Sequence, residues 1–308
     1  MRKDNYAQRV TGPPASEPEP VPRRSLSRRL RVTIIAAVII VIVLIGIIGY
    51  AVTGLAYAQT RVGNANKTLN AVISHQNSLN NTFTDLNSKF NSLSSGTTFD
   101  PLQARQLFDQ FVANEKAAGV TDDQDQASLV ATKASLTEPS WLTLVSRSSL
   151  NTEAAKIDHA RKAVSIAKST TVGYVQDGQF FQSYFDTQID LQMFSTQVAS
   201  ADLAGAKTTL TTMKGHVDTG LQLSSAPGLP ADLHSVMVDL GTLVTDFGKL
   251  LDAAAANDDT AITNADNAVQ ADANKLGTYN VDQIMAEIGA YYKPMFDEID
   301  SEMAKAAA

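Results

Sequence analysis

Between Val32 and Thr60 the chain carries no charged side chain, and Ile34–Ile48 is a run of Ile, Val, Leu and Ala interrupted only by Gly46. A helix crossing a bilayer core needs about 20 apolar residues, so the pattern predicts a transmembrane helix over 32–58. The period then changes. Small or apolar residues fall at Leu55, Ala58, Val62, Ala65, Leu69, Val72, Leu79, Phe83, Leu86, Phe90 and Leu93, in steps of three and four, with Gln76 as the one polar member of the series. That spacing is a heptad seam. It predicts a stalk helix over 59–95 that continues the span for roughly 57 Å.

Many Asn residues flank the seam, among them Asn64, Asn66, Asn70, Asn77, Asn80 and Asn81. Asn forms helix poorly, so the stalk needs a packing partner. A second copy would give an oligomer, and later helices of the same chain would give a bundle. Few opposite charges flank the seam, which favours the second arrangement.

After Ser94-Ser95-Gly96 the pattern stays helical. Asp100-Pro101 reads as a cap and first turn. Helices are expected near 101–118 and 122–136, separated at Gly119 and restarted at Thr121-Asp122. Thr137-Glu138-Pro139 marks a break, and a helix follows over much of 140–172. Phe181, Tyr184, Leu191, Phe194 and Val198 define one further stripe, and Leu203, Ala206, Leu210, Met213, Val217 and Leu221 define the next. Ala226-Pro227-Gly228-Leu229-Pro230 is a turn. Leu233, Met237, Leu240, Val244, Phe247, Leu251 and Ala254 follow on one face. Asn257-Asp258-Asp259 caps a short helix ending at Leu276 and Gly277. The last stripe joins Val281, Ile284, Ile288, Tyr291, Met295, Ile299 and Met303, with a kink expected at Pro294. Val198–Asp202 and Leu251–Asp258 echo each other as helix ends feeding an Asp cap. No segment alternates as strands do. The fold class is all-α: a transmembrane helix, its stalk, and an elongated antiparallel helical bundle outside the cell. The domains read as a disordered, Pro-rich basic tail (1–31), the span (32–58), the stalk (59–95) and the bundle (100–308).

Charge sets the orientation. The first 32 residues carry eight Lys or Arg against three acids, while the rest carries 17 basic and 29 acidic side chains. Arginines concentrated just before the span place the N-terminus in the cytoplasm and the body outside, extracellular or periplasmic. An acidic body excludes nucleic acid as a partner. Ala56-Tyr57-Ala58 before Gln59 also fits a signal-peptidase site, but the long basic leader and long apolar run favour an uncleaved anchor. There is no cysteine, so no disulfide and no thiolate metal site exists. Asn66-Lys67-Thr68 and Asn80-Asn81-Thr82 fit the glycosylation sequon.

The search for chemistry returns few candidates. His75, His159, His216 and His234 are isolated in sequence, without H-E-x-x-H or Glu-x-x-His spacing, and read as histidines at the bundle rim. Counting a calcium loop from Asp123 puts Ser128 and Ala134 where Gly and Glu are required, so Asp122, Asp123 and Asp125 read as helix caps. Asp297, Glu298, Asp300 and Glu302 read as a solvated face. Gly241 to Gly248-Lys249 has the wrong spacing for a phosphate loop. Trp141 and Tyr291-Tyr292 read as packing residues. No residue is assigned a catalytic, cofactor-binding or metal-binding role, and no cofactor is expected.

In general architecture the arrangement resembles the outer part of bacterial sensory receptors, in which a membrane helix runs into a helical bundle. It departs from that pattern in showing no second apolar span before Met303–Ala308 and too short a leading tail for an inner domain. The expected role is a non-catalytic binding, scaffold or structural protein of the bacterial cell envelope, with the lipid bilayer and an envelope protein as partners. The alternative is a ligand-sensing ectodomain working through a membrane partner.

Overall fold

Helix follows helix from Ala56 to the last residues of the chain. The computed structural model describes residues 56–94, 100–139 and 146–308, all within the compact unit Gly46–Ala308. The predicted basic tail, nearly all of the predicted span and Trp141 lie outside the described residues. Among the described residues no helix is long and apolar enough to cross a membrane. These residues form seven helices and no strand. They are α1 (Ala56–Ser94), α2 (Pro101–Thr137), α3 (Arg147–Ala199), α4 (Leu203–Leu223), α5 (Ala231–Ala256), α6 (Asp259–Leu276) and α7 (Val281–Ala307).

The helix starts follow side-chain capping. Asp100 accepts from the Leu102 and Gln103 amides with Pro101 in the first turn, Asp202 accepts from Gly205, Asp258 from Thr260 and Ala261, and Asn280 from Gln283. Each satisfies amides that the first turn leaves without partners. The two helix ends matched in the sequence share one geometry. Ala201 (φ 58°) and Asn257 (φ 53°) take the left-handed conformation. In each, the next residue's amide reaches back five residues, Asp202 to Gln197 at 2.8 Å and Asp258 to Ala253 at 3.1 Å. This closes a Schellman motif. The Asp that ends one helix also caps the next, so both hairpins are made without a long loop.

Helix α3 is 53 residues long, roughly 80 Å, and two apolar cores form along it. Its first half packs with α1, α2 and the end of α7 through Ala65, Leu69, Val72, Leu129, Leu136, Leu150, Ile157, Val164 and Ala306. Its second half packs with α4, α5, α6 and the start of α7 through Phe180, Phe194, Leu210, Met213, Val217, Met237, Leu240, Val244 and Ile284. Phe180 and Met237 are fully buried, and burying a side chain of that size stabilises by about 1.5–3 kcal/mol. Helices α1, α2, α3 and α7 lie antiparallel in succession. Arg61 pairs with Glu138, Lys133 with Asp158, Lys168 with Asp123, and His159 with Glu302. The seam of α1 from Ala58 to Val72 is therefore covered by its own chain.

Three expectations are corrected. Helix α2 runs unbroken through Gly119 to Thr137, and α3 is one helix through Gly173 and Gly178 where a helix over much of 140–172 and a separate stripe from Phe181 to Val198 were expected. A single glycine weakens a helix by about 1 kcal/mol, which packing on both sides of α2 and α3 outweighs. At Gly173 and Gly178 the missing side chain admits a neighbour: a Cβ at Gly173 would stand 2.7 Å from the Tyr292 hydroxyl, and one at Gly178 would stand 2.5 Å from Val112. On α7 the buried tyrosine is Tyr292 (2% exposed), while Tyr291 and Val281 of the predicted stripe face outward. Helix α7 continues through Pro294.

Candidate functional site

Between the two apolar cores, α2, α3 and α7 meet in a layer of aromatic rings and carboxyl groups. The rings form a chain. Phe108 stands 5.0 Å from Phe181 and 6.0 Å from Phe111, Phe111 is 5.8 Å from Tyr174, and Tyr174 is 4.3 Å from Tyr292 and 6.2 Å from Phe296. The Tyr174–Tyr292 pair is slightly closer than the range for favourable ring contacts, about 4.5–7 Å, and the other spacings lie within it.

The carboxyls come from helix faces that would otherwise be apolar. Asp122 and Asp125 are buried in the middle of α2, so they are not the helix caps that the sequence suggested. Gln76, the polar member of the heptad seam, donates to Asp122 Oδ1 at 2.8 Å. Asp122 Oδ2 and Gln126 Oε1, one helical turn apart, are buried without a protein hydrogen-bond partner. Asp177 on α3 is 4% exposed, and its Oδ2 accepts from the Tyr292 hydroxyl at 2.7 Å.

Burial disfavours the charged form of a carboxyl, and three of these groups respond. Glu115 is pushed up to about 7 by burial and by the neighbouring negative charge of Asp122, with a bond to Thr171 acting in the opposite sense. Asp122 is raised to about 6 by burial, partly offset by the bond from Gln76. Asp177 is raised to about 6 by burial, partly offset by the bond from Tyr292. Burial also raises the Tyr174 and Tyr292 phenols, and the nearby acids add to it. The layer thus holds three carboxyls able to exchange protons near neutral pH.

Each histidine joins one helix to another. His75 Nδ1 meets Asp125 at 2.9 Å, His159 meets Glu302 at 2.6 Å, His216 meets Asp190 at 2.8 Å, and His234 meets Ser224 at 2.8 Å. Glu302, expected on a solvated face, is 4% exposed. It is held down to about 2 by hydrogen bonds from Lys305, His159 and Lys162. Asp297 and Glu298 do face solvent. Among the described residues no three His, Asp or Glu side chains converge as a metal site would require. Gly241, Gly248 and Lys249 lie in α5, where Lys249 pairs with Asp246 at 2.6 Å.

An open groove of about 390 Å³ runs between α4 and α5, with Val217, Leu221, Met237, Val238 and Lys249 along it. Nothing in the local sequence pattern singles out Glu115, Tyr174 or Asp177 directly. The usable signal was the pair Gly173 and Gly178, which bracket Tyr174 and Asp177 and mark close approach by a neighbour. Comparison with protein families, curated proteins and solved structures returns no match for the chain.

Proposed function

We propose that this chain is a membrane-anchored helical-bundle protein whose body stands outside the cytoplasm and serves the cell envelope as a non-catalytic binding or scaffold protein. The observation that carries this reading is the charge-free stretch Val32–Thr60 behind a cluster of arginines, which fits a single span with its N-terminus inside. The packing of the body suits a scaffold. The start of α1, which follows that stretch in sequence, is tied by Arg61 to the end of α2, and Val62 packs against the core that α1, α2, α3 and α7 share. Helices α4 to α6 gather around the other half of α3.

Protease accessibility on intact cells, with N-terminal sequencing of the membrane-extracted protein, tests the reading. The expected result is a body cut from outside and a mature chain that retains residues before Gln59. A chain beginning at Gln59, or a body protected in intact cells, refutes the anchor. Hydrolytic activity in the purified protein, together with no partner recovered from membranes by cross-linking, refutes the scaffold role.

The groove between α4 and α5 favours a second reading, a ligand-sensing body that signals through a membrane partner. Its mixed lining of Met237, Val238 and Lys249 suits a small amphipathic molecule. A thermal shift against a small-molecule panel tests it; no shift that Val238→Asp abolishes would remove this reading.

A further inference from the structure

Where α3, α7 and the α4–α5 turn meet, one proton serves more acceptors than it can satisfy. The Tyr292 hydroxyl has a single hydrogen, yet it lies 2.7 Å from Asp177 Oδ2 and 3.2 Å from the Pro227 carbonyl. Asp177 Oδ1 is buried with no protein hydrogen-bond partner. The hydroxyl is held in place by backbone. A Cβ at Gly173 or at Gly228 would each stand 2.7 Å from it, and Gly228 has φ +100°, a conformation that excludes most other residues.

We propose that Asp177, Tyr292 and Pro227 form a proton-operated clasp. When Asp177 takes up a proton from solvent, the carboxyl becomes a donor to the Tyr292 oxygen. The Tyr292 hydrogen is then released to the Pro227 carbonyl. The turn joining α4 to α5 is thereby tied to α3 and α7 by a full hydrogen bond. When the proton leaves, the carboxylate takes the Tyr292 hydrogen and the turn loses its bond.

The surroundings suit this role. On α3 the clasp faces Tyr174, and on α7 it faces Tyr291 and Tyr292. From α2, Glu115 acts on Tyr174. The turn offers the backbone of Pro227 and Gly228, and His234 beyond it bonds Ser224. No charged side chain is among the groups that displace Asp177; burial, partly offset by the bond from Tyr292, brings its titration to about pH 6. The clasp therefore responds to mild acid and not to a neighbouring ion pair.

The full-length chain in detergent micelles provides the test. The infrared stretch of a buried protonated carboxyl is titrated from about pH 8 to about pH 4.5, a window spanning ordinary and raised carboxyl values. Amide exchange of the segment 224–232 is followed in parallel, corrected for the intrinsic effect of pH. The wild type minus Asp177→Asn difference should show a carboxyl band with a midpoint near pH 6. On acidification, exchange of the turn should slow by roughly two- to tenfold, the worth of one neutral hydrogen bond, in the wild type alone. Tyr292→Phe should move the band's midpoint upward, because the carboxylate loses its donor, and should abolish the pH dependence of the turn. No difference band, equal slowing in Asp177→Asn, or an unmoved midpoint in Tyr292→Phe would each overturn the clasp. If Asp177→Asn does not fold, the Tyr292→Phe midpoint decides alone.

Discussion

Gln76 Nε2 donates to Asp122 Oδ1 across 2.8 Å, joining α1 to α2 at the point where the apolar seam of α1 is interrupted. The half-buried Gln76 is thus matched by a fully buried acid on the facing helix. Truncating one partner strands the other in an apolar setting, whereas replacing both removes the need. Gln76→Leu should destabilise the protein by about 1–3 kcal/mol, and adding Asp122→Leu should recover much of that loss. Denaturant melts of the single and double variants measure both values; a double variant no better than Gln76→Leu contradicts the pairing.

Glycine substitutions separate close approach from helix weakness. Gly173→Ala and Gly178→Ala would push a methyl group into Tyr292 and into Val112 with Phe111. Each should destabilise by about 1–3 kcal/mol, since overpacking exceeds the gain in helix propensity. Nothing lies within 4 Å of a Cβ at Gly215 or Gly248. Alanine there should stabilise by about 0.5–1 kcal/mol. Thermal melts showing one sign at all four positions would refute the distinction.

Much of the fold was legible because its signals are local. The caps at Asp100, Asp202 and Asp258, the turn at Ala226–Pro230 and the helical class all follow from residues within a few positions of one another. The acid layer was not legible. Asp122 meets Gln76 across 46 residues, Asp177 meets Tyr292 across 115, and His159 meets Glu302 across 143. Period alone cannot say which carboxyl on a polar-looking face will turn inward. Gly119 misled for the same reason: it looks like a helix end when only chain neighbours are weighed. At Gly173 and Gly178 the glycine answers to a residue on another helix.

The Schellman turn at Ala201 places a side chain in the left-handed region, which disfavours any residue with a Cβ by about 1–2 kcal/mol. Ala201→Gly should therefore raise stability by up to about 1 kcal/mol. Asp202→Ala, which removes the cap of α4 at Gly205, should lower it by about 1 kcal/mol. Opposite shifts in melting temperature at these adjacent positions check the turn.

The pH dependence of stability has a defined sign. Glu115, Asp122 and Asp177 titrate at about 7, 6 and 6 in the folded protein, above the ordinary carboxylate range of about 4. The folded state then holds more protons than the unfolded state between about pH 4 and about pH 7, so stability falls as pH rises through that window. Glu302, held at about 2, acts in reverse: its contribution is present above about pH 4.5 and is lost as pH falls toward 2. Denaturation midpoints should peak in mildly acidic solution. Glu115→Gln should flatten the decline between about pH 5 and about pH 7.5, and an unchanged slope would refute burial as its cause.

The two cores share α3 without a joint between them. Domains linked by a loop can swivel, but cores threaded on one uninterrupted helix transmit torsion from one to the other, as a shaft does between two wheels. Proteolysis or heat that loosens one core should release the other in the same step, and a ligand gripping α4 and α5 would be felt mechanically at the His159–Glu302 end of the same shaft.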